Sequence, residues 1–534
     1  MMRVSLHLSS LLRHAAREHG RTEVVTLDGQ GQLHRSNWAL LERRARQWGQ
    51  AWERLDLPMR APVALLGWNA QGLLEAVLGT AASGRQALTL NPRQFPEQLI
   101  WAINQTQAQA LVFDQALAPL IDAMQLQMAS VKHYVQLGGP DMLPEPGTLM
   151  VEPMDAESLL GFDDPDWHWP DQVETDTALI SFTAASSGWP RGVPTSHRAA
   201  VLQAMAAALP DAYGIGYEDA VMPLLPVAHS GGWAMCLCAA MVGSRLVLVP
   251  PGLAPATLAE TMATLGVSLA AGPPNVWQEV MNHMDASGLR LPALRRAVVG
   301  SAAFPPELLT RMRAVPGLDV MHTWGMSEIA PPALVARGSA LVLGPDGRLP
   351  QGRARFGVEL ALVDDDGRSL PRDGHTEGLL VARGPWTLDA YIGEADSPLV
   401  SVDGVYGWFP TGDIARIDPE GWVTITDRRK DLIRCGGEWI SAAQLERIAL
   451  SLPEVAEAAA IARNDPLLGE RPLLVVVLHP GASLGTDELL AYFQGRVADW
   501  QQPAAALVFP ELPRLGNGEV DKRELRALVD TVLD

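Results

Sequence analysis

Apolar residues recur at helical spacing at the start of the chain, where Leu8, Leu11, Leu12, Ala15 and Ala16 share one face of "LHLSSLLRHAAREHG". This predicts a first helix docked on a core. The same period runs through "SNWALLERRARQWGQAWERL", with Trp38, Leu41, Ala45, Trp48 and Trp52 together. "APVALLGWN" follows as an unbroken apolar run and reads as a buried strand. Such alternation predicts a mostly parallel sheet covered by helices.

The stretch "GGPDMLPEPGTLMVEPMDAESLLGFDDPDWHWPDQ" breaks every period, and its Pro and Asp content predicts a surface connection between two α/β lobes. Beyond it, "ALISFTAASSG", "SRLVLVP", "RRAVVGSAAF" and "LDVMHTWGMSE" are short strands ending in polar or glycine-containing loops. An open α/β sheet offers its binding crevice at such strand ends. Between about Gly357 and Thr426 the pattern changes to short strands separated by turns, a small β-rich lobe. From Asp431 onward, "AAQLERIALSL", "RPLLVVVL" and "DELLAYFQGRVADW" supply the elements of a small separate domain. The expected fold class is α/β: a large N-terminal body of two α/β lobes plus a small β-rich lobe over 1–430, and a small mobile α+β C-terminal domain over 431–534.

Composition narrows the function classes. The 534 residues are 48% hydrophobic and 19% charged, with a formal net charge of −20, so a nucleic-acid backbone would be repelled while a local cationic pocket for one nucleotide stays open. No segment reaches the roughly 18 uninterrupted apolar residues of a membrane span. The three cysteines, Cys236, Cys238 and Cys435, give neither a disulfide framework nor paired metal-ligand clusters; a cytoplasmic location is expected, with Cys236 and Cys238 as packing residues.

Three stretches carry candidate chemistry. "TAASSGWPRG", Thr183 to Gly192, offers backbone N–H groups, the hydroxyls of Thr183, Ser186 and Ser187, and the cation of Arg191 to an anion; alone it reads equally as a Ser/Gly turn with an exposed Arg, and it is not a GKS/T-type phosphate loop. "HTWGMSE" puts an aromatic ring (Trp324), a hydroxyl (Ser327) and a carboxylate (Glu328) within a few residues, suited to a purine, a phosphate and Mg²⁺. A buried Trp beside a capping turn accounts for it as well. In "GWFPTGDIARIDPEGWVTITDRRKDLIRCGGEWIS" the spacing places Asp413 beside Arg428, an arrangement suited to vicinal hydroxyls or, blandly, a hairpin with surface charges.

The ordered set "FTAASSGWPRGVPTSHR", "PLLPVAHSGGW", "VVGSAAFPPEL", "TWGMSE", "GWFPTGD", "DRRKDLIRCGGEWIS" and "ELPRLGNGEVDKRELR" resembles the adenylate-forming superfamily of acyl-CoA synthetases, peptide adenylation domains and luciferases over nearly the whole chain. "LNPRQFPEQL", "SHRAAV", "TWGMSE" and "GGEWISAAQLE" most resemble medium-chain fatty-acid:CoA ligases. The resemblance implies ATP, AMP or acyl-AMP binding with Mg²⁺, and CoA as the usual acceptor; it leaves a carrier protein or an amine open as acceptor, and a homodimer open as the assembly. It implies that a small-molecule acid is first adenylated and then passed to a thiol, with the C-terminal domain rotating between the steps.

By position, the resemblance implies that Thr183, Ser186, Ser187, Gly188 and Arg191 hold phosphate. Trp324, flanked by Thr323 and Gly325, would stack on adenine, and Gly300, Ser301 and Ala302 would line the base and acyl side. Asp413 and Arg428 would take the ribose, Ser327 the α-phosphate, Glu328 the Mg²⁺. Lys430 matches the hinge, His229 and Trp233 the gate between acyl carbonyl and pantetheine, and Gly436, Gly437 and Glu438 the thiolation face. Trp233 and Trp277 are tunnel candidates or core residues.

Two departures fall in the adenylation half. The phosphate loop has Ala184 for Ser, Ala185 for Gly and Arg191 for Lys, and the tail has Glu519 where the family carries the adenylation lysine. Lys522 does not replace it by a register slip, because "VDKRELR" aligns with the family's own residues beyond that lysine. Impaired adenylation is therefore expected, with a conventional medium-chain acyl-CoA ligase that tolerates these changes, redirected acyl transfer, or a non-catalytic acyl and nucleotide binder as the alternatives.

Overall fold

The computed structural model describes residues 4–138, 151–183, 189–302, 304–344, 347–435, 438–465, 468–515 and 519–533. Two compact units emerge: one from the described parts of 1–183, 190–360 and 382–399, the other centred on 361–381 and 400–534. Most of the strand-rich lobe thus shares a unit with the tail.

The first unit is built on two large sheets. A seven-stranded sheet runs Met154–Asp155, His133–Leu137, Ala110–Asp114, Pro62–Leu66, Gln86–Leu90, Thr177–Phe182 and Gly192–Ser196. Its pairs are parallel except the last. A nine-stranded sheet is parallel from Asp319–Trp324 through Arg296–Val299, Leu269–Gly272, Ala220–Pro223 and Arg245–Leu248 to Glu23–Leu27, with antiparallel strands at both edges. The predicted helices are Leu8–His19 and Trp38–Arg54, and their apolar stripes are buried, Trp48 and Trp52 with ring centroids 5.2 Å apart. Helix Ser230–Val242 is apolar nearly all round and buried to match. It carries Cys236 and Cys238, whose thiols burial pushes up to about 12; Cys435 is buried in the second unit.

One expectation is corrected. The Pro- and Asp-rich stretch does not join the two lobes, because Met154–Asp155 before its end and Thr177–Phe182 after it both belong to the seven-stranded sheet. Its polar residues instead cover helix Trp38–Arg54: Arg46 donates to the Trp167 carbonyl at 2.6 Å, and the Trp167 and Trp169 indoles donate to Glu53 and Glu42. The chain passes to the other sheet later, through helix His197–Ala208 into Ala220–Pro223.

A buried carboxylate ties together the starts of three neighbouring strands of the nine-stranded sheet, Ala220–Pro223, Leu269–Gly272 and Arg296–Val299. Asp219 accepts from Gly216 N at 2.8 Å, Ser268 Oγ at 2.7 Å and the guanidinium groups of Arg295 and Arg296. Burial alone would raise its pKa; these bonds outweigh it and hold the carboxyl below its ordinary value.

In the second unit, Val405–Ile417 pairs antiparallel with Val423–Arg428 and with Val400–Val402. The tail forms a five-stranded sheet around Gly469–Leu478. The run "LLVVVL" is apolar throughout because both faces are covered. Leu474 and Val476 pack with Leu445 of helix Ala442–Leu450, whereas Leu473 and Val475 pack with Leu525 and Val529 of helix Lys522–Leu533. Among the described residues no helix is long and apolar enough to cross a membrane.

Candidate active site

The strands Leu269–Gly272, Arg296–Val299 and Asp319–Trp324 run side by side, so Gly272, Gly300 and Trp324 emerge together at their carboxyl ends. They border a cleft of about 430 Å³, counting solvent at its mouth, whose walls include Tyr213, His229, Val298 and Pro331. Two glycines are required by close approach. A Cβ on Gly300 would stand 2.5 Å from Thr323 Oγ1, and one on Gly325 would stand 2.9 Å from Pro331 Cβ. Ser301, also on the cleft, holds φ +70°, a left-handed conformation uncommon for a residue with a side chain. Ala302 follows it, exposed.

His229 caps helix Ser230–Val242 through its Nδ1, which accepts from Gly231 N at 3.2 Å. The ring faces the open cleft yet protein surrounds the site, and this desolvation lowers its pKa. With Nδ1 accepting, the neutral ring carries its proton on Nε2. Ser327 Oγ lies 3.0 Å from Ser230 Oγ.

Glu328 is 5% exposed. Its Oε1 accepts from the Tyr391 hydroxyl at 2.9 Å, and its carbonyl accepts from Leu388 N at 2.7 Å. Burial holds its carboxyl above the ordinary range, opposed by the Tyr391 bond and the Arg191 charge. Arg191 lies 3.6 Å over the Tyr391 ring and makes a two-pronged ion pair with Glu394, Nε to Oε1 at 2.6 Å and Nη2 to Oε2. The main chain of Arg191 is bonded to Thr183 in both directions, N to Oγ1 at 3.2 Å and O to N at 3.0 Å. Among the described residues no three His, Cys, Asp or Glu side chains gather into a metal-binding group. A single buried carboxylate such as Glu328 nevertheless suits Mg²⁺, which takes one or two carboxylates and completes its shell with phosphate oxygens and water.

The second unit brings Asp413 and Arg428 together as direct cross-strand partners, Arg428 Nε 3.5 Å from Asp413 Oδ1. Glu519 joins them: its carboxylate faces the same guanidinium at 3.4 and 3.5 Å. Desolvation would lower the Arg428 pKa, but these two carboxylates raise it instead. Lys430 reaches solvent, yet partial desolvation and the Arg428 charge hold it below its ordinary value. Lys522 is committed elsewhere, 2.7 Å from Glu446 and 4.0 Å from Asp431.

Ser186, Ser187 and Gly188, with Ala184 and Ala185, lie outside the described residues, as do Gly436 and Gly437; Glu438 opens the strand Glu438–Ile440. Trp233 and Trp277 do not border the described cleft. Both are 1% exposed in the core, their indoles donating to Ser181 Oγ at 3.2 Å and the Val298 carbonyl at 2.9 Å. Sequence reasoning missed Tyr391, Glu394 and Tyr213. "DAYIGE" carries a phenol and a carboxylate three apart, a signal with meaning only once Glu328 and Arg191 are its neighbours.

Comparison with known proteins places relatives along nearly the whole chain. The family described as AMP-binding enzyme matches residues 11–392, and the AMP-binding enzyme C-terminal domain matches residues 444–519. The chain is 40% identical to a 3-methylmercaptopropionyl-CoA ligase of Ruegeria lacuscaerulensis, covering 98% of each chain. It is 37% identical to a medium-chain-fatty-acid–CoA ligase of Ectopseudomonas oleovorans, covering 100% of this chain and 98% of the relative. The anthranilate CoA ligase AuaEII in complex with anthranoyl-AMP shares the fold, with a TM-score of 0.83 at 20% identity over 100% of this chain and 99% of the other. The chain belongs to the AMP-binding enzyme family, within the adenylate-forming superfamily.

Proposed function

We propose that this chain joins a carboxylic acid to a thiol through an acyl-adenylate, with its adenylation half-step slowed. The acid is a medium-length fatty acid or a small thioether acid of the 3-methylmercaptopropionate kind, a choice supported by the names of relatives that align along nearly its whole length. The thiol is that of CoA.

In this reading a carboxylate oxygen attacks the α-phosphorus of ATP and pyrophosphate leaves; a thiolate then attacks the acyl carbon and AMP leaves. Trp324 would stack on adenine, Gly300, Ser301 and Ala302 would line the base and acyl side, Asp413 and Arg428 would bind the ribose hydroxyls, and Ser327 would reach the α-phosphate. Mg²⁺ held by Glu328 would neutralise charge on the triphosphate. His229, neutral and facing the cleft, would border the meeting point of acyl carbonyl and thiol. Lys430 would be the hinge, and Gly436 to Glu438 the thiolation face.

The observation that carries the slowed step is Glu519, standing where the superfamily has a lysine and turned onto Arg428. At about 4 Å and an effective dielectric of about 20, one charge pair is worth roughly 4 kcal/mol, so replacing attraction by repulsion swings the adenylation barrier by roughly 8 kcal/mol at most. Pairing with Arg428 and exposure to water reduce this. Even half of it is about three decades in rate.

Pyrophosphate release with ATP and a series of C4–C14 acids and 3-methylmercaptopropionate tests the reading. The expected result is release close to background, together with clear AMP release from chemically made acyl-AMP plus CoA. Vigorous pyrophosphate release would remove the claim of a slowed step. Glu519 also favours a second reading, acyl transfer from a preformed acyl donor or binding without turnover; silence in the acyl-AMP plus CoA arm would select binding alone, and turnover with an amine or carrier thiol in place of CoA would select redirected transfer.

A further inference from the structure

The segment Trp386–Glu394 holds the candidate site at several points. Trp386 lies under the Arg355 guanidinium at 4.7 Å, and Arg355 Nη2 donates to the Ala330 carbonyl at 2.9 Å. Leu388 N and the Tyr391 hydroxyl bind the backbone and side chain of Glu328. Glu394 then takes Arg191, whose guanidinium is stacked on Tyr391. One short segment therefore positions both the buried carboxylate and the cation that ends the Thr183–Gly192 stretch.

The Arg191–Glu394 pair is solvent-reachable, with side chains 45% and 33% exposed. Exposed pairs of this kind are worth about 0.2–1 kcal/mol, little enough to be exchanged for a better anion. A guanidinium presents the same donor fork to a carboxylate and to a phosphate. Stacking on Tyr391 uses the face of the guanidinium and hydrogen bonding uses its edge, so Tyr391 holds the group in place whichever anion takes the fork.

We propose that Glu394 is a resident surrogate for the terminal phosphates of a nucleoside triphosphate: it holds Arg191 until those phosphates arrive and yields it to them. Glu394 is thereby a specificity-determining residue that weakens the triphosphate relative to the monophosphate. This rests on the nucleotide-binding reading above, and it adds a residue that the superfamily resemblance does not supply.

Calorimetric binding of AMP and of MgATP, with no carboxylic acid present, tests it on the full chain. Glu394→Gln is expected to tighten MgATP about threefold to fivefold, the value of one exposed ion pair, and to leave AMP unmoved. Arg191→Gln is expected to weaken MgATP only. In the Arg191→Gln background the gain from Glu394→Gln should vanish, which separates displacement of Glu394 from a general loss of negative charge. Glu394→Ala serves as the second variant and should match Glu394→Gln. An unchanged MgATP:AMP ratio in both Glu394 variants, or a gain that persists without Arg191, overturns the inference while AMP binding keeps the nucleotide reading intact. Absence of AMP and MgATP binding in the parent chain overturns both.

Discussion

Glu519 turns a question of family membership into one of charge at a single position. Glu519→Lys removes the carboxylate facing Arg428 and restores the cation of the superfamily pattern. Pyrophosphate release should rise at least about tenfold, the rate equivalent of only 1.4 kcal/mol; an unchanged rate would locate the obstacle in the Thr183–Arg191 stretch instead. Tyr391 supports a second residue-scale expectation. Tyr391→Phe keeps the ring beneath Arg191 but removes the donor to Glu328 Oε1, and hydrogen bonds to charged groups contribute about 1.5–3 kcal/mol. The dissociation constant for MgATP should rise about tenfold to a hundredfold with AMP unmoved. The Asp413–Arg428 pairing was legible in the sequence because a hairpin brings residues at that spacing opposite each other. Tyr391 and Glu328 are 63 residues apart and Arg191 and Glu394 are 203 apart, and no local pattern announces pairs formed by tertiary packing.

Among the elements, three central strands of the nine-stranded sheet depend on Asp219 at their starts. Asp219→Asn leaves Arg296, 15% exposed, without its counter-charge, and breaking a buried pair costs about 3–5 kcal/mol. Because the folded-state pKa of Asp219 is depressed, its stabilisation is present above the unfolded value near 3.9 and is lost as pH falls through the folded value. Urea unfolding should therefore show the parent chain more stable than the variant at pH 7, with the gap narrowing steadily below about pH 4. The helices and central strands were readable because each is a long apolar run or stripe. The stretch before Thr177 was misread as a lobe connection for the opposite reason: its Trp167 and Trp169 are held by polar bonds to helix Trp38–Arg54, more than a hundred residues earlier, and without that helix the segment shows only its turn residues.

On the scale of the whole molecule, a net charge of −20 means that anionic substrates are drawn in only by local cations such as Arg191 and Arg428, so binding should weaken less with salt than it would on a basic surface. The placement of sulfur has a further consequence. All three thiols of the chain are buried, and two are held far from ionisation. Iodoacetamide at neutral pH should modify none of them in the native protein and all three after unfolding, as counted by intact mass. An activated acyl group is an electrophile toward any thiolate it meets, so a protein that keeps its own sulfur sealed is protected from acylating that sulfur, and in the proposed reaction the acyl group would be left for the thiol delivered from outside.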